Sequence, residues 1–235
     1  MGELSGKIAV LTGAGRGIGA ACARALAAEG MHVALLARTL PQLEALAEEC
    51  RTAGVRALPL VCDVSSAASV AAAVAAVMAE FGRIDLLINN AGAGHYLRFL
   101  ELTEAQMDEM ISVNLKGTFL MLQAVLPHMV KAKQGMVIAI SSIRGYETTA
   151  TTAGYSATKF ALMGLHSALV QDMRKEGVRV SVICPAGVLT DFQGIPAAEK
   201  DPNMITPEEV ARAVVYAALA PYPSYVSQVN LYSIR

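Results

Sequence analysis

Short apolar runs alternate along this chain with longer amphipathic ones, and that alternation restricts the fold more than any single motif. The runs at residues 7–12, 32–37, 57–62, 86–89, 136–140, 178–183 and 226–231 are β-branched or leucine-rich. Gly, Pro, Asn or Asp bounds them, which is the pattern of strands. The stretches between them, 17–29, 40–53, 66–81, 103–131, 153–176 and 207–219, read as helices. Ser66 stands where an N-cap belongs, and Thr206-Pro207-Glu208-Glu209 combines a cap, a first-turn proline and acids facing the helix dipole. Glycines follow Glu29, Phe81 and Glu176, as helix ends require. Strands apolar on both faces need cover on both, so the pattern predicts a parallel seven-stranded sheet between two helical layers. Right-handed crossovers then make it a doubly wound α/β fold, with ligands beyond the carboxyl ends of the strands.

Composition sets the outer limits. The chain has 235 residues, of which 54% are hydrophobic and 17% charged, enough for one large core without metal or disulfide. A single domain over residues 1–235 is the expectation, since linkers, repeats and low-complexity blocks are not evident. A net charge of -1 gives no general attraction to nucleic acid or anionic membrane. Cys22, Cys50, Cys62 and Cys184 are scattered and make no metal-ligand spacing with the four histidines, so they read as buried thiols in a reducing compartment. Residues 1–7 lack an apolar signal region, and the uncharged run 67–79 is too short to span a bilayer. A cytoplasmic protein is expected by default.

The loop Thr12-Gly13-Ala14-Gly15-Arg16-Gly17-Ile18-Gly19 joins the first strand to the first helix. Unpaired N–H groups and the dipole at a helix N-terminus suit a pyrophosphate, and glycines let the backbone approach it. The spacing Gly13, Gly17, Gly19 is G-x-x-x-G-x-G rather than the commoner G-x-G-x-x-G, and alone it is also compatible with a plain tight turn. At the end of the second strand the chain reads Leu36-Ala37-Arg38-Thr39, with no acid to bind a ribose hydroxyl. Arg16 and Arg38 offer charge for a 2′-phosphate instead, which favours NADP(H) over NAD(H).

Tyr155 and Lys159 stand four apart at the start of a long helix and so share one face. A free phenol titrates near pH ~10, and a nearby ammonium lowers that value toward one useful for proton transfer. The expectation is therefore a depressed Tyr155 pKa. The pair by itself is also what a tyrosine packed on a lysine stem looks like.

Taken together, the glycine loop, Asp63-Val64, Asn89-Asn90-Ala91-Gly92, Asn114, Ser141-Ser142 and Tyr155-Ser156-Ala157-Thr158-Lys159 resemble the short-chain dehydrogenase/reductase family in its compact NADP-dependent branch, from about residue 7 to 190. The resemblance implies a Rossmann-like fold and hydride transfer between nicotinamide and a carbonyl or alcohol carbon. It implies catalytic roles for Asn114, Ser142, Tyr155 and Lys159. Tyr155 would exchange the proton, and Ser142, whose spacing to Tyr155 fits better than that of Ser141, would donate to the substrate oxygen. Lys159 would hold the nicotinamide ribose, and Asn114 would bend its helix and hold a relay water. Cofactor contacts are implied at Gly13, Gly15, Arg16, Gly17, Ile18, Gly19, Arg38, Thr39, Asp63, Val64, Asn90, Ala91 and Gly92, and again at Pro185, Gly187, Val188 and Thr190. Asp63 would meet the adenine amino group. A homodimer or homotetramer through helices 103–131 and 153–176 is also implied.

Two departures are visible. Ala186 stands where the family usually has glycine after Pro185, and the last strand is followed by only a short tail, which puts the tetramer in doubt. Two rival readings share the fold: a non-catalytic NADPH-binding regulator, and an epimerase or dehydratase with a tightly held dinucleotide. The substrate stays open among 3-oxoacyl thioesters, small ketones or aldehydes, hydroxy amino acids, pterins and sugars. Arg144, two residues beyond Ser142 and near Tyr146, His95 and Tyr96, either pairs with a surface acid such as Glu147 or binds a carboxylate or phosphate on the substrate.

Overall fold

The computed structural model describes residues 2–192 and 196–234. Within them seven parallel strands form one sheet in the order β3-β2-β1-β4-β5-β6-β7. These are β1 Ile8–Thr12, β2 His32–Ala37, β3 Ala57–Val61, β4 Leu86–Asn89, β5 Gly135–Ile140, β6 Val178–Pro185 and β7 Gln228–Leu231. Each coincides with an expected run to within two residues at either end, and β2 and β4 match theirs end to end. β6 runs on to Pro185 because Cys184 and Pro185 still pair with Asn230 and Leu231. Val226 lies outside β7, its carbonyl taken by the Ser181 hydroxyl at 2.5 Å.

Alternate side chains of each strand enter different cores. Ala9 and Leu11 of β1 and Leu86 and Ile88 of β4 face one cluster, while Val10 and Leu87 face the other. Helices α1 Gly17–Ala28, α2 Leu40–Arg51 and α7 Pro207–Ala218 cover the first face; α3 Ala67–Phe81 and α5 Thr118–Ala132 cover the second, with α6 Ala153–Met173 beside them. Wholly buried residues such as Leu35, Leu87 and Ile88 each contribute ~1.5–3 kcal/mol of burial, which explains why the strands carry so few polar residues. Caps form where expected: Ser66 accepts from the Ser69 N–H, and Thr206 and Glu209 close a reciprocal capping box on α7. Gly30, Gly82 and Gly177 take the positive φ that turns the chain out of a helix.

The helix expected over 103–131 is present over Glu104–Ala132, but its pitch changes partway. The structure has α4 Glu104–Met110, a π-helical segment Ile111–Gly117, and then α5. A π-segment inserts extra backbone into the helical ladder, and such bulges collect at functional sites. Here it centres on Asn114, the residue expected to bend the helix. The continuous run Glu104–Ala132 is long and apolar enough to cross a membrane by length and composition. In this fold Met110, Met121, Val125 and Met129 of that run are wholly buried in the protein.

The sheet order reverses direction between β1 and β4. The carboxyl ends of β1, β2, β4, β5 and β6 meet there along one cleft of about 970 Å³.

Candidate active site

The glycine loop opens the cleft from β1. Gly13 and Gly17 have φ of 63° and 55°, which side-chain-bearing residues rarely adopt. A Cβ on Gly19 would press on the Gly13 carbonyl and on the Asn90 amide. Asn90 Nδ2 donates to the carbonyls of Thr12 and Gly13 at 3.0 and 3.1 Å, and Thr12 Oγ1 accepts from the N–H groups of Asn90 and Ala91. The ends of β1 and β4 are thus locked together. α1 begins behind Arg16 with no side-chain cap, leaving its first N–H groups to the cleft. An uncapped helix start behind a cradle that a Cβ would fill fits a pyrophosphate.

Gly15, Arg16, Gly17, Ile18, Arg38, Thr39, Asp63 and Val64 line one end of the same cleft. Arg16 and Arg38 are exposed and make no salt bridge among the described residues. Asp63 Oδ1 accepts from the N–H and hydroxyl of Ser65 at 2.9 and 2.7 Å, and these bonds, with Arg38 nearby, hold its carboxyl below the usual range. Gln42 also faces this end; its Oε1 would lie 2.8 Å from a Cβ on Gly15. Its isolation from any motif hid it in the sequence.

At the other end β5 delivers Ser142 and α6 delivers Tyr155 and Lys159, all three buried. Ser142 Oγ accepts from the Arg144 N–H at 3.1 Å and donates to the Pro185 carbonyl at 3.3 Å. Lys159 Nζ donates to the Ile140 carbonyl at 3.1 Å and lies 5.6 Å from the centre of the Tyr155 ring. Burial pulls Lys159 down to about 8. Tyr155 runs against the sequence expectation: burial, reinforced by the neighbouring Tyr96, pushes its phenol above the ordinary range, while Ser142 and Arg144 pull only weakly the other way. Desolvation of a phenolate at this depth outweighs the helical neighbour on which the expectation rested.

Asn114 is held on both polar atoms by protein. Its Oδ1 accepts from the Ala93 N–H at 2.7 Å, and its Nδ2 donates to the Ala93 carbonyl and to Thr158 Oγ1, both at 2.9 Å. The side chain therefore clasps the loop after β4 to α6; both amide protons are used, and Oδ1 keeps one lone pair. From β6, Pro185, Ala186, Gly187, Val188 and Thr190 reach the cleft. The missing glycine at 186 leaves this backbone in place, because the Ala186 N–H donates to the Leu231 carbonyl at 2.9 Å.

The substrate half holds residues that the sequence left undefined. Tyr96 and Phe192 flank the Tyr155 ring, with centroids 5.2 and 5.9 Å away. Phe192 seats in a notch at Gly94, where a Cβ would come within 2.7 Å of its ring. Phe192 is a lone aromatic between Thr190 and residues outside the described set, so no periodicity announced it. Arg144 lines the cleft and does not pair with Glu147, whose Oε1 accepts from the Tyr232 hydroxyl at 2.7 Å. His95 Nε2 instead meets Glu109 Oε2 at 2.7 Å. Cys22, Cys50, Cys62 and Cys184 are free and buried, and no His/Cys/Asp/Glu cluster suited to a metal occurs among the described residues.

Comparison with known proteins gives this geometry its context. A family model described as short chain dehydrogenase matches residues 7–200. The chain is 37% identical over 225 residues to Oxidoreductase UcpA of Escherichia coli strain K12, covering 94% of this chain and 84% of that protein. Its structure is similar to that of an alcohol dehydrogenase from the archaeon Thermococcus sibiricus complexed with 5-hydroxy-NADP, with a TM-score of 0.92, 35% identity and 97% of each chain covered. It is also similar to a 3-ketoacyl-(acyl-carrier-protein) reductase from Brucella melitensis complexed with NADH, with a TM-score of 0.88, 27% identity, and 97% and 98% of the two chains covered. The chain belongs to the short-chain dehydrogenase/reductase family of oxidoreductases, whose members use nicotinamide cofactors.

Proposed function

We propose that this protein is an NADPH-dependent reductase of small carbonyl compounds, or in reverse a dehydrogenase of the alcohols, built as a single domain and acting in the cytoplasm. The observation that carries the reading is the convergence of Ser142, Tyr155 and Lys159 at one end of a cleft whose other end offers Arg16 and Arg38. When bound, the nicotinamide supplies or accepts the hydride. Ser142 Oγ turns its proton from the Pro185 carbonyl to the substrate oxygen. Tyr155 gives that oxygen its proton in reduction, and its raised pKa keeps the proton loaded near neutrality. Lys159 holds the cofactor ribose, and its charge supports the phenolate left behind. Asn114 keeps the loop after β4 against α6. Asp63 and Val64 receive adenine, the glycine loop with Asn90, Ala91 and Gly92 holds the pyrophosphate and adjoining ribose, and Pro185, Gly187, Val188 and Thr190 back the nicotinamide.

The two arginines support NADP(H), because neither makes a salt bridge among the described residues and no acid stands at the end of β2. Arg144 supports a substrate bearing a carboxylate or phosphate. A panel of acidic and neutral carbonyls, assayed with NADPH and with NADH, tests the reading. The parent protein should prefer NADPH and Arg38→Asp should reverse that preference. Arg144→Ala should raise KM for acidic carbonyls by roughly tenfold, the scale of a lost charged hydrogen bond, and leave neutral ones unchanged. Equal use of NADH by the parent, or equal effects of Arg144→Ala on both substrate types, would contradict the respective assignment.

A further inference from the structure

Two segments wall the substrate half of the cleft. The turn after β5 carries Ser142 and Arg144. The segment 196–206 carries Lys200 and Met204: Lys200 Nζ donates to the carbonyls of Thr190 and Phe192 at 2.7 and 3.0 Å, and Met204 lies against Gly187. Nothing in the reaction proposed above joins these two walls.

The residues after β7 do. Tyr232 hydroxyl donates to Glu147 Oε1 at 2.7 Å and stands 3.1 Å from the Tyr146 hydroxyl. Since the Tyr232 proton points to the carboxylate, Tyr146 is the donor in the second bond. A chain of hydroxyls therefore runs from Tyr146 through Tyr232 to Glu147, immediately beyond Arg144. The next residue, Ser233, donates from Oγ to the Asn203 carbonyl at 2.6 Å, between Lys200 and Met204. The base of this connection is rigid, because Leu231 ends β7 and accepts from the Ala186 N–H. Tyr146 is held as a donor: burial and its bond to Tyr232 push its phenol above the usual range.

We propose that Tyr232 is a positioning residue for carbonyl reduction, the centre of a strap anchored in β7 that fixes the Ser142–Arg144 turn relative to the segment 196–206. The strap acts mainly on the substrate half of the cleft. Its contacts are remote from the glycine loop, Arg38 and Asp63, and it reaches the proposed nicotinamide end only through Lys200 on Thr190 and Met204 against Gly187, so cofactor affinity depends on it less than substrate affinity does. The kinetic consequence rests on the carbonyl-reductase reading given above; the structural consequence does not.

The test is steady-state kinetics on the full chain with the best carbonyl from the panel, together with amide hydrogen exchange. Tyr232→Phe keeps the ring and removes both hydroxyl bonds. It should raise KM for the carbonyl about fivefold, the scale of one net hydrogen bond, with a clearly smaller change in KM for NADPH. Glu147→Leu should reproduce it, and Glu147→Gln, which still accepts, should stay close to the parent. Exchange should rise in residues 143–149 and 199–206 of Tyr232→Phe and nowhere else. A parental carbonyl KM in Tyr232→Phe overturns the strap, as does an equal rise in both KM values with a general increase in exchange. If the parent turns over no carbonyl, the reading of function fails, and the exchange pattern alone decides for or against the strap.

Discussion

Lys159 sits 4% exposed with one described protein acceptor for its ammonium, the Ile140 carbonyl, and that placement works against the fold. Its pKa falls from the usual 10.5 to about 8 because burial penalises the charged form. Below about 8 both folded and unfolded chains carry the proton, so the folded state bears the full penalty. Between about 8 and 10.5 the folded chain releases the proton first, and stability rises with pH. Lys159→Met should therefore stabilise the cofactor-free protein at pH ~7 by about 1–3 kcal/mol, a rise of several degrees in Tm, while activity is lost. The gain should shrink as pH approaches 10.5; thermal melts of parent and variant across this range check it, and a variant less stable at neutral pH would contradict it. At this scale the sequence exposed the spacing of Tyr155 and Lys159 and the two arginines at strand ends without an acid beside them in the chain, since both follow from local order. It did not expose the sign of the Tyr155 shift. Depth of burial decides that sign, and depth is made by Tyr96 and Phe192, which arrive from distant loops.

The elements show the same division. Strand–helix alternation, caps and glycine stops were legible because they are local: Thr206 and Glu209, three apart, close their box whatever lies beyond. The π-segment at Ile111–Gly117 was legible only as the bend at Asn114 that the resemblance implied, because one inserted π-turn leaves the run of apolar residues nearly periodic. Its cause is tertiary. Val64 packs against Gly117, where a Cβ would come within 2.8 Å, and Asn114 is drawn to Ala93 and Thr158. The notch at Gly94 is another tertiary feature, and it makes a sharp prediction. Gly94 does not have a left-handed φ, so alanine there is opposed first by the Phe192 ring at 2.7 Å and next by Tyr155 at 3.3 Å. Gly94→Ala should displace Phe192 and change carbonyl KM several-fold, with global stability lowered by less than ~1.5 kcal/mol, as for a contact that a side chain can relieve by moving. Kinetics and a denaturant titration together check this; an unchanged KM would mean that Phe192 does not border the substrate.

For the whole molecule, the sheet order β3-β2-β1-β4-β5-β6-β7 puts the reversal where the cleft lies, so one topological fact places both ends of the site. Outside the cleft, Ile111, Phe119 and Phe160 remain 37%, 46% and 45% exposed on the outer side of the π-segment, α5 and α6. Apolar side chains on two long neighbouring helices support self-association there. Light scattering at micromolar concentration should give at least twice the 24.6 kDa chain mass, and a monomer would contradict the homodimer or homotetramer that the resemblance implies. The proposed chemistry is read out by the rate at which parent and Tyr155→Phe oxidise NADPH in the presence of a carbonyl substrate. The parent should oxidise NADPH steadily, and Tyr155→Phe should lose roughly 10²-fold or more of that rate with NADPH affinity nearly unchanged, if Tyr155 is the proton donor. Near-parental turnover in Tyr155→Phe would contradict it.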